Sequence, residues 1–180
     1  MIHYKKNIYI IVSKTDTPLG KLIRLCLGVK YNHCSIALDE SLEQFYSFGR
    51  KEIHDLFKAG FVRESKNQGF FKEHNDAYIT VLKIPVTDRQ WHSIAEEIAM
   101  FNKQKDDCKY SFLGLLFCYL GIPKKRKHKY FCSQFVAEVL EHANAKLLDK
   151  PPTLVRPHDF LNISQGDVIY KGAIGCYEAA

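Results

Sequence analysis

Hydrophobic residues recur along this chain at two spacings, and each spacing predicts a different element. Alternating patterns rich in β-branched and aromatic residues predict β-strands at 7–13, 33–39, 43–51, 77–86 and 166–174. A helical period predicts helices at 17–30, 87–104, 109–121 and 131–146, with a further short helix within 154–162. The polar stretch "DESL" separates the second and third strands, which are therefore predicted to form a hairpin.

Between the third and fourth predicted strands, residues 51–76 are polar, contain glycine and show little periodicity. They are predicted to form a long loop with some local structure. The chain shows no internal repeat, low-complexity segment or linker. Hairpin-like groups of strands together with amphipathic helices predict an α+β fold, with one domain over 1–180.

Composition narrows the class of protein. The chain has 180 residues, of which 46% are hydrophobic and 26% charged, as expected for a globular domain. A formal charge of +6 suits an anionic partner without identifying one. The N-terminal apolar run is too short for a signal peptide, and the apolar stretch after residue 110 is shorter than the roughly 20 residues of a membrane span. We expect a soluble, cytoplasmic protein.

Six cysteines are present without any CxxC pair, which favours reduced thiols over a disulfide framework. Cys132 stands at the predicted start of the helix in "KYFCSQFVAEVL". Phe135, Val136 and Val139 follow it at helical spacing, so Cys132 lies on the buried stripe, as an inert packed thiol would. A helix N-terminus, however, stabilises a thiolate and an oxyanion, and the basic residues 124–129 precede it. The helix by itself leaves both roles open.

A nucleophilic cysteine needs a base, and His33 is the first candidate. Strand alternation places His33 on one face with Ser35 and Ala37, where small neighbours leave room for another group. A hydrogen-bonded structural histidine would fit the same pattern. His158, which precedes an acid in "RPHDF", is the second candidate for the base.

The base also needs a polar residue to orient its ring, and the adjoining strand supplies candidates. Ser47 would lie near His33 if residues 45, 47 and 49 occupy the small-residue face. The opposite register would bring Gln44 or Tyr46 there instead. A shift of one residue exchanges the two faces, so the alternation leaves the choice open.

The segments "YNHCSIALDESLEQFYSFGRK" and "YFCSQFVAEVL" together resemble the circularly permuted branch of the papain-like NlpC cysteine hydrolases. That branch includes YiiX-like proteins and is related to lecithin:retinol acyltransferase-like enzymes. In it, a histidine-bearing strand precedes the cysteine-bearing helix, which is the order seen here. The resemblance implies a permuted papain-like fold, in which an antiparallel sheet packs against helices that include the nucleophile-bearing one.

The resemblance also implies roles for individual residues. Cys132 would be the nucleophile, His33 the general base and Ser47 the third residue, where relatives often carry an acid, an amide or a second histidine. Tyr110 and Ser133 are candidates for contacting the substrate or the oxyanion. The implied function is a thiol-dependent hydrolase or acyltransferase that cleaves an amide, peptide-like or lipid-linked, through a thioester, without metal or cofactor.

Two other classes of function compete with this one. The chain would be a non-catalytic ligand-binding relative if Cys132 were unreactive. It would bind nucleic acid or another anionic surface if "KKRKHK" were its functional site, although that run lacks the aromatic platform of a specific nucleic-acid reader. A metal site of His33, Cys34, Cys132 and His128 is disfavoured because His33 and Cys34 point to opposite strand faces.

Residues 111–129 join an apolar helix to this basic run. Such a segment predicts either a peripheral contact with an anionic membrane or a core helix beside a solvated loop.

Overall fold

The computed structural model of the protein describes residues 6–15, 29–51 and 58–179. Eight strands in these ranges form one mixed sheet, in the order β7-β6-β4-β3-β2-β1-β5-β8. Every neighbouring pair is antiparallel except β6 and β7. The strands are β1 Lys6–Lys14, β2 His33–Ala37, β3 Phe45–Arg50, β4 Ala59–Glu64, β5 Tyr78–Val86, β6 Lys109–Tyr110, β7 Lys129–Tyr130 and β8 Asp167–Ala173.

Helices pack around this sheet, which gives the α+β architecture expected from the sequence. They are α1 Gly69–Glu73, α2 Asp88–Lys103, α3 Phe112–Tyr119 and α4 Cys132–His142, with 3₁₀ turns at Pro152–Leu154, Pro157–Asn162 and Ile174–Cys176. The start of α2 is fixed by a capping box, in which Thr87 and Gln90 each bond to the other's backbone N–H. No helix among the described residues has the length and apolar character needed to cross a bilayer.

The alternation along the strands creates two apolar clusters, one on each face of the sheet. Even-numbered residues of β1 and β2, such as Ile10 and Ile36, join the larger cluster with Phe135 and Val139 of α4. Odd-numbered residues such as Ile11 belong to the smaller cluster, which includes Phe71 of α1. The period of two in the sequence therefore sorts side chains between a helix-covered face and a second face, as a sheet requires.

The prediction for residues 51–76 was wrong where the structure describes them. This stretch contains strand β4, which pairs with β3 along its whole length, and the short helix α1. The segment "AGFVRE" has only two large or β-branched apolar residues, Phe61 and Val62, and they are adjacent, so alternation gives little signal. The cross-strand pairing with β3 supplies the stability instead. As the last residue of β4, Glu64 therefore belongs to the sheet.

Two other predictions need smaller adjustments. The helix expected over 109–121 is α3 alone, preceded by the two-residue strand β6. The helix expected over 131–146 ends at His142. The helix predicted at 17–30 falls largely on residues outside the described ranges.

Candidate active site

Helix α4 begins at Cys132, so the thiol is carried by the first turn, where backbone N–H groups lack partners within the helix. The preceding residue, Phe131, is extended and makes no side-chain capping bond, so no side chain of the N-cap residue occupies those N–H groups. Phe135, Val136 and Val139 hold the helix against the sheet, and Cys132 is only 2% exposed. The predicted helix start and buried stripe are confirmed.

His33 is the first residue of β2, at the point where β2 and β3 have separated. The two strands pair only at Ile36–Tyr46 and Ala37–Phe45, which leaves His33 beyond the last pair. A Cβ on Gly49 would lie 3.4 Å from the imidazole Cε1, so the absence of a side chain there leaves room for the ring. The Cys132 thiol is close enough to raise the pKa of His33 through a hydrogen bond and through its charge.

Glu64, at the end of β4, is the direct carboxylate partner of His33. Its Oε2 lies 3.3 Å from His33 Nε2 and accepts hydrogen bonds from Ser35 Oγ at 2.9 Å and Ser47 Oγ at 2.6 Å. The Ser35 hydroxyl also lies 3.3 Å from His33 Nε2. One carboxylate oxygen thus gathers the imidazole and both hydroxyls.

The role predicted for Ser47 is therefore corrected. Ser47 lies on the face of His33, as one of the two predicted registers required, but its hydroxyl bonds to Glu64. Sequence reasoning missed Glu64 because it placed residues 51–76 in a loop. Recognising β4 as a partner of β3 would have put residue 64 on the same face as residues 45 and 47.

At the His33–Glu64 pair, burial shifts each pKa in one direction, while the partner's charge and the hydrogen bonds together shift it further in the other. Burial by itself lowers the pKa of His33, but the Glu64 carboxylate and the Cys132 thiol raise it to about 10. Burial raises the pKa of Glu64, but the charge of His33 and the bonds from His33, Ser47 and Ser35 hold it below its usual value. At neutral pH the site therefore contains an imidazolium and a carboxylate. Because Nε2 faces Glu64, the Nδ1 side of the ring remains for the thiol.

Two tyrosines in the segment before α4 feel the charge of Cys132. Burial raises the pKa of Tyr110 well above its ordinary value, and the charge of Cys132 raises it further. Burial also raises the pKa of Tyr119 to about 12, with Cys118 and Cys132 contributing. Both phenols are therefore protonated at neutral pH. Tyr110 therefore lies within electrostatic range of Cys132, and its predicted contact with the substrate or the oxyanion stays a prediction, whereas Tyr119 was not anticipated from the sequence.

Other predicted candidates lie elsewhere or are engaged differently. Ser133 Oγ donates to the Val155 carbonyl at 2.7 Å, so its hydroxyl is held by the backbone. The Tyr46 hydroxyl donates to Gln44 at 3.3 Å. Within the described ranges, neither side chain is a hydrogen-bond partner of His33. His158 lies 3.7 Å from Asp159 in a 3₁₀ turn.

A cleft of about 680 Å³ opens beside Glu64, between β3, β4 and α1. Arg50, Gln68 and Phe70 are among its lining residues, and the Arg50 guanidinium lies 5.2 Å from the centre of the Phe70 ring. Burial lowers the pKa of Arg50 from its ordinary value. The cleft has the size of a small-ligand site and reaches one member of the His33 network.

Side chains that could bind a metal ion are not clustered in the described part of the chain. Within residues 6–15, 29–51 and 58–179, no three His, Cys, Asp or Glu side chains are grouped so that they could hold an ion. His33 and Cys34, two donors of the disfavoured metal site, belong to opposite faces, since Cys34 is part of the larger apolar cluster.

Together the fold and the site describe an α+β chain with a cysteine, a histidine and a glutamate at the junction of a helix and a sheet. No protein-family model and no curated protein matches the sequence. The structure is similar to that of metalloprotein YiiX from Escherichia coli O157:H7, with a TM-score of 0.57 and 12% identity over 95% of this chain and 99% of that chain. At this identity the likeness concerns the fold, and it agrees with the predicted YiiX-like architecture.

Two buried serines near His33, Ser47 and Ser13, should differ in their contribution to stability. Ser47→Ala removes a hydrogen bond to a carboxylate, which is expected to lower the free energy of unfolding by roughly 2 kcal/mol. Ser13 lies directly opposite His33 on β1, and its buried hydroxyl has no hydrogen-bond partner among the described residues. Ser13→Ala is therefore expected to change stability by less than about 0.5 kcal/mol. Urea unfolding of both variants measures the difference, and equal losses would contradict the assigned bond.

Proposed function

We propose that this chain is a permuted papain-like cysteine hydrolase or acyltransferase of the NlpC type, which cleaves an amide or ester through a thioester on Cys132. The observation that supports this most directly is the continuous contact from Cys132 to His33 to Glu64 at an uncapped helix N-terminus. The order of histidine before cysteine along the chain agrees with the permuted arrangement.

In the proposed reaction, the proton of Cys132 resides on His33 when the thiolate attacks the carbonyl carbon. The backbone N–H groups of the first turn of α4 stabilise the oxyanion of the tetrahedral intermediate. The C–N or C–O bond then breaks, and His33 donates its proton to the leaving group. His33 next removes a proton from water or another acceptor molecule, and the oxygen or nitrogen of that molecule attacks the thioester carbonyl. The C–S bond then breaks, the acyl group passes to the acceptor, and the proton held by His33 is shared again with the Cys132 sulfur.

Glu64 gives the imidazole a charged partner, where a serine alone would orient it more weakly. The carboxylate holds His33 by Nε2 and stabilises the imidazolium that the reaction needs. Ser35 and Ser47 in turn hold the carboxylate oxygen. A third member that is an acid also agrees better with the family pattern than Ser47 did.

The substrate class we propose is a peptide-like or lipid-linked amide, and the protonated Tyr110 would serve as an additional donor near the reacting carbonyl. The cleft beside Glu64 offers space for the remainder of the substrate. Cys34, Cys108, Cys118, Cys132 and Cys176 are free thiols, which suits a reducing compartment. We therefore propose that the enzyme acts in the cytoplasm.

A competition between two thiols tests the proposed nucleophile. Cys176 is exposed, whereas Cys132 is almost fully buried, so an unactivated pair would acylate at Cys176 first. We expect a p-nitrophenyl acyl ester to transfer its acyl group to Cys132 at least about tenfold faster than to Cys176. Acid quenching, digestion and mass spectrometry locate the thioester.

The same experiment separates the rival functions. Acylation confined to Cys176 would indicate a non-catalytic ligand-binding relative. Acylation of Cys132 that disappears with excess EDTA and returns with Zn²⁺ would indicate a metal-dependent site. Acylation of Cys132 that is unchanged by EDTA supports the thiol mechanism.

A further inference from the structure

A segment that the reaction does not use stands at the edge of the sheet, immediately before Cys132. Residues 111–128, here called the α3 excursion, leave from β6 and return at β7, and these two strands pair in parallel. Ser111 N donates to the Tyr130 carbonyl at 2.8 Å, and Lys109 N donates to the His128 carbonyl at 2.9 Å. Both ends of the excursion are therefore clamped together beside α4.

The excursion exposes an apolar face. Gly114 and Cys118 turn toward the protein, and a Cβ on Gly114 would lie 3.6 Å from the Phe131 ring. The opposite face carries large apolar side chains that are each between 43 and 63% exposed: Phe112, Leu113, Leu116, Leu120 and Ile122. Among the described residues, these five are more than half of the nine exposed large hydrophobic side chains. Of the two alternatives that the sequence left open for this segment, the fully buried core helix is therefore excluded.

A band of positive charge adjoins this face. Residues 109–137 contain six lysines and arginines and no aspartate or glutamate: Lys109, Lys124, Lys125, Arg126, Lys127 and Lys129. Asp107 precedes this stretch and Glu138 follows it, and Glu138 pairs with Lys125 at 3.0 Å. Lys124 Nζ lies 5.4 Å from the centre of the Phe117 ring, which links the band to the apolar helix. Lys127 is exposed to solvent.

We propose that the α3 excursion docks the protein on an anionic membrane surface. The exposed side chains of α3 would enter the region between headgroups and acyl chains, while the lysines contact lipid phosphates and carboxylates. An anionic membrane would bury the apolar face of the excursion and attract the positive band at the same time.

Two other binding partners fit the α3 excursion less well than an anionic membrane. Nucleic acid would satisfy the positive band but would leave Leu116 and Leu120 without a partner. A second copy of this chain would cover the apolar face, but a two-fold dimer brings the same patch against itself and therefore brings two positive bands together. Neither occupant uses the apolar and the charged features at once.

Docking by the α3 excursion does not require activity at Cys132. It does bear on the proposed function, because only Phe131 separates the end of β7 from Cys132. Docking through the excursion would hold the thiol close to the lipid surface. Binding and chemistry can be measured separately, so failure of one is distinguishable from failure of the other.

The test is co-sedimentation of the full chain with phosphatidylcholine vesicles that contain or lack phosphatidylserine. We expect binding only with phosphatidylserine, weakening as salt increases. Lys127→Ala should lower the partition coefficient roughly fivefold. Leu116→Glu, which places a charge in the apolar face, should lower it roughly tenfold or more.

Matched variants outside the excursion serve as controls. Met100→Glu alters another exposed apolar side chain, Lys171→Ala removes another exposed lysine, and both are expected to bind as the wild type does. Cys132→Ser should also bind as the wild type does. Three results would overturn the proposal: equal binding to both kinds of vesicle, a dimer in solution that Leu116→Glu dissociates, or tight binding of an oligonucleotide that Leu116→Glu leaves unchanged.

Discussion

Cys132→Ala is expected to reduce acyl transfer from an activated ester by roughly 10⁴-fold or more, because it removes the proposed nucleophile beside His33. The fold should survive the change. Alanine removes a single buried sulfur atom, and we expect the free energy of unfolding to fall by about 1 kcal/mol. The rate is measured from p-nitrophenolate release, and the stability from urea unfolding followed by far-UV circular dichroism.

Cys176→Ala is the matched control, since it removes an exposed thiol far from the candidate base in sequence. It should retain the wild-type rate within about a factor of two. A Cys132→Ala protein that is folded and still releases p-nitrophenolate at the wild-type rate would exclude Cys132 as the nucleophile. A protein that loses both activity and its circular dichroism signal calls for Cys132→Ser, which preserves volume and is expected to be folded and inactive.

Glu64→Gln is expected to move the pH dependence of the reaction. Glutamine keeps a carbonyl oxygen that can accept from His33, Ser35 and Ser47, so mainly the charge is lost. In the wild type the carboxylate and the thiol raise the pKa of His33 to about 10, and the imidazolium should therefore support catalysis up to that pH. In the variant, burial still lowers this pKa and only Cys132 still raises it, so the alkaline limb of kcat/KM should move down toward the ordinary histidine value of about 6.5. We expect the rate at pH 8 to fall roughly 10²-fold.

The control for this change is Glu43→Gln, a carboxylate that lines the same cleft and is bonded to Asn67. Its pH profile should match that of the wild type. An alkaline limb that stays near pH 10 in Glu64→Gln would show that Glu64 does not set the titration of His33. A titration of His33 by NMR measures the same quantity without requiring turnover.

The ion pair should also be visible in stability. The raised pKa of His33 means that its contribution is complete below about pH 6.5 and is lost as the pH rises through about 10. The lowered pKa of Glu64 means that its contribution is present above about pH 4.5 and is lost as the pH falls further. Glu64→Gln should cost about 2 kcal/mol at pH 7, less than for a fully buried pair, because the imidazole can release its proton.

Local pattern alone determined much of the fold. Strands β1, β2, β3, β5 and β8 and helices α2 and α4 follow from alternation and helical period, since each buries one face of a regular element. The same reasoning selected Cys132 at a helix start and put His33 on a face with small residues. Those choices depend on neighbours within a few positions along the chain, and a sequence carries that information.

Only the tertiary structure decided which residues meet. Glu64 became the partner of His33 because β4 pairs with β3, and the segment that contains it has little periodicity of its own. The charge of Cys132 acts on Tyr110 and Tyr119 because β6 and β7 pair and hold the intervening segment beside the cysteine-bearing helix. Hydropathy could not decide whether α3 is buried, since a short apolar helix can lie either in a core or at a surface that binds a partner. Its exposure is set by its place at the sheet edge, where no described element covers its outer face.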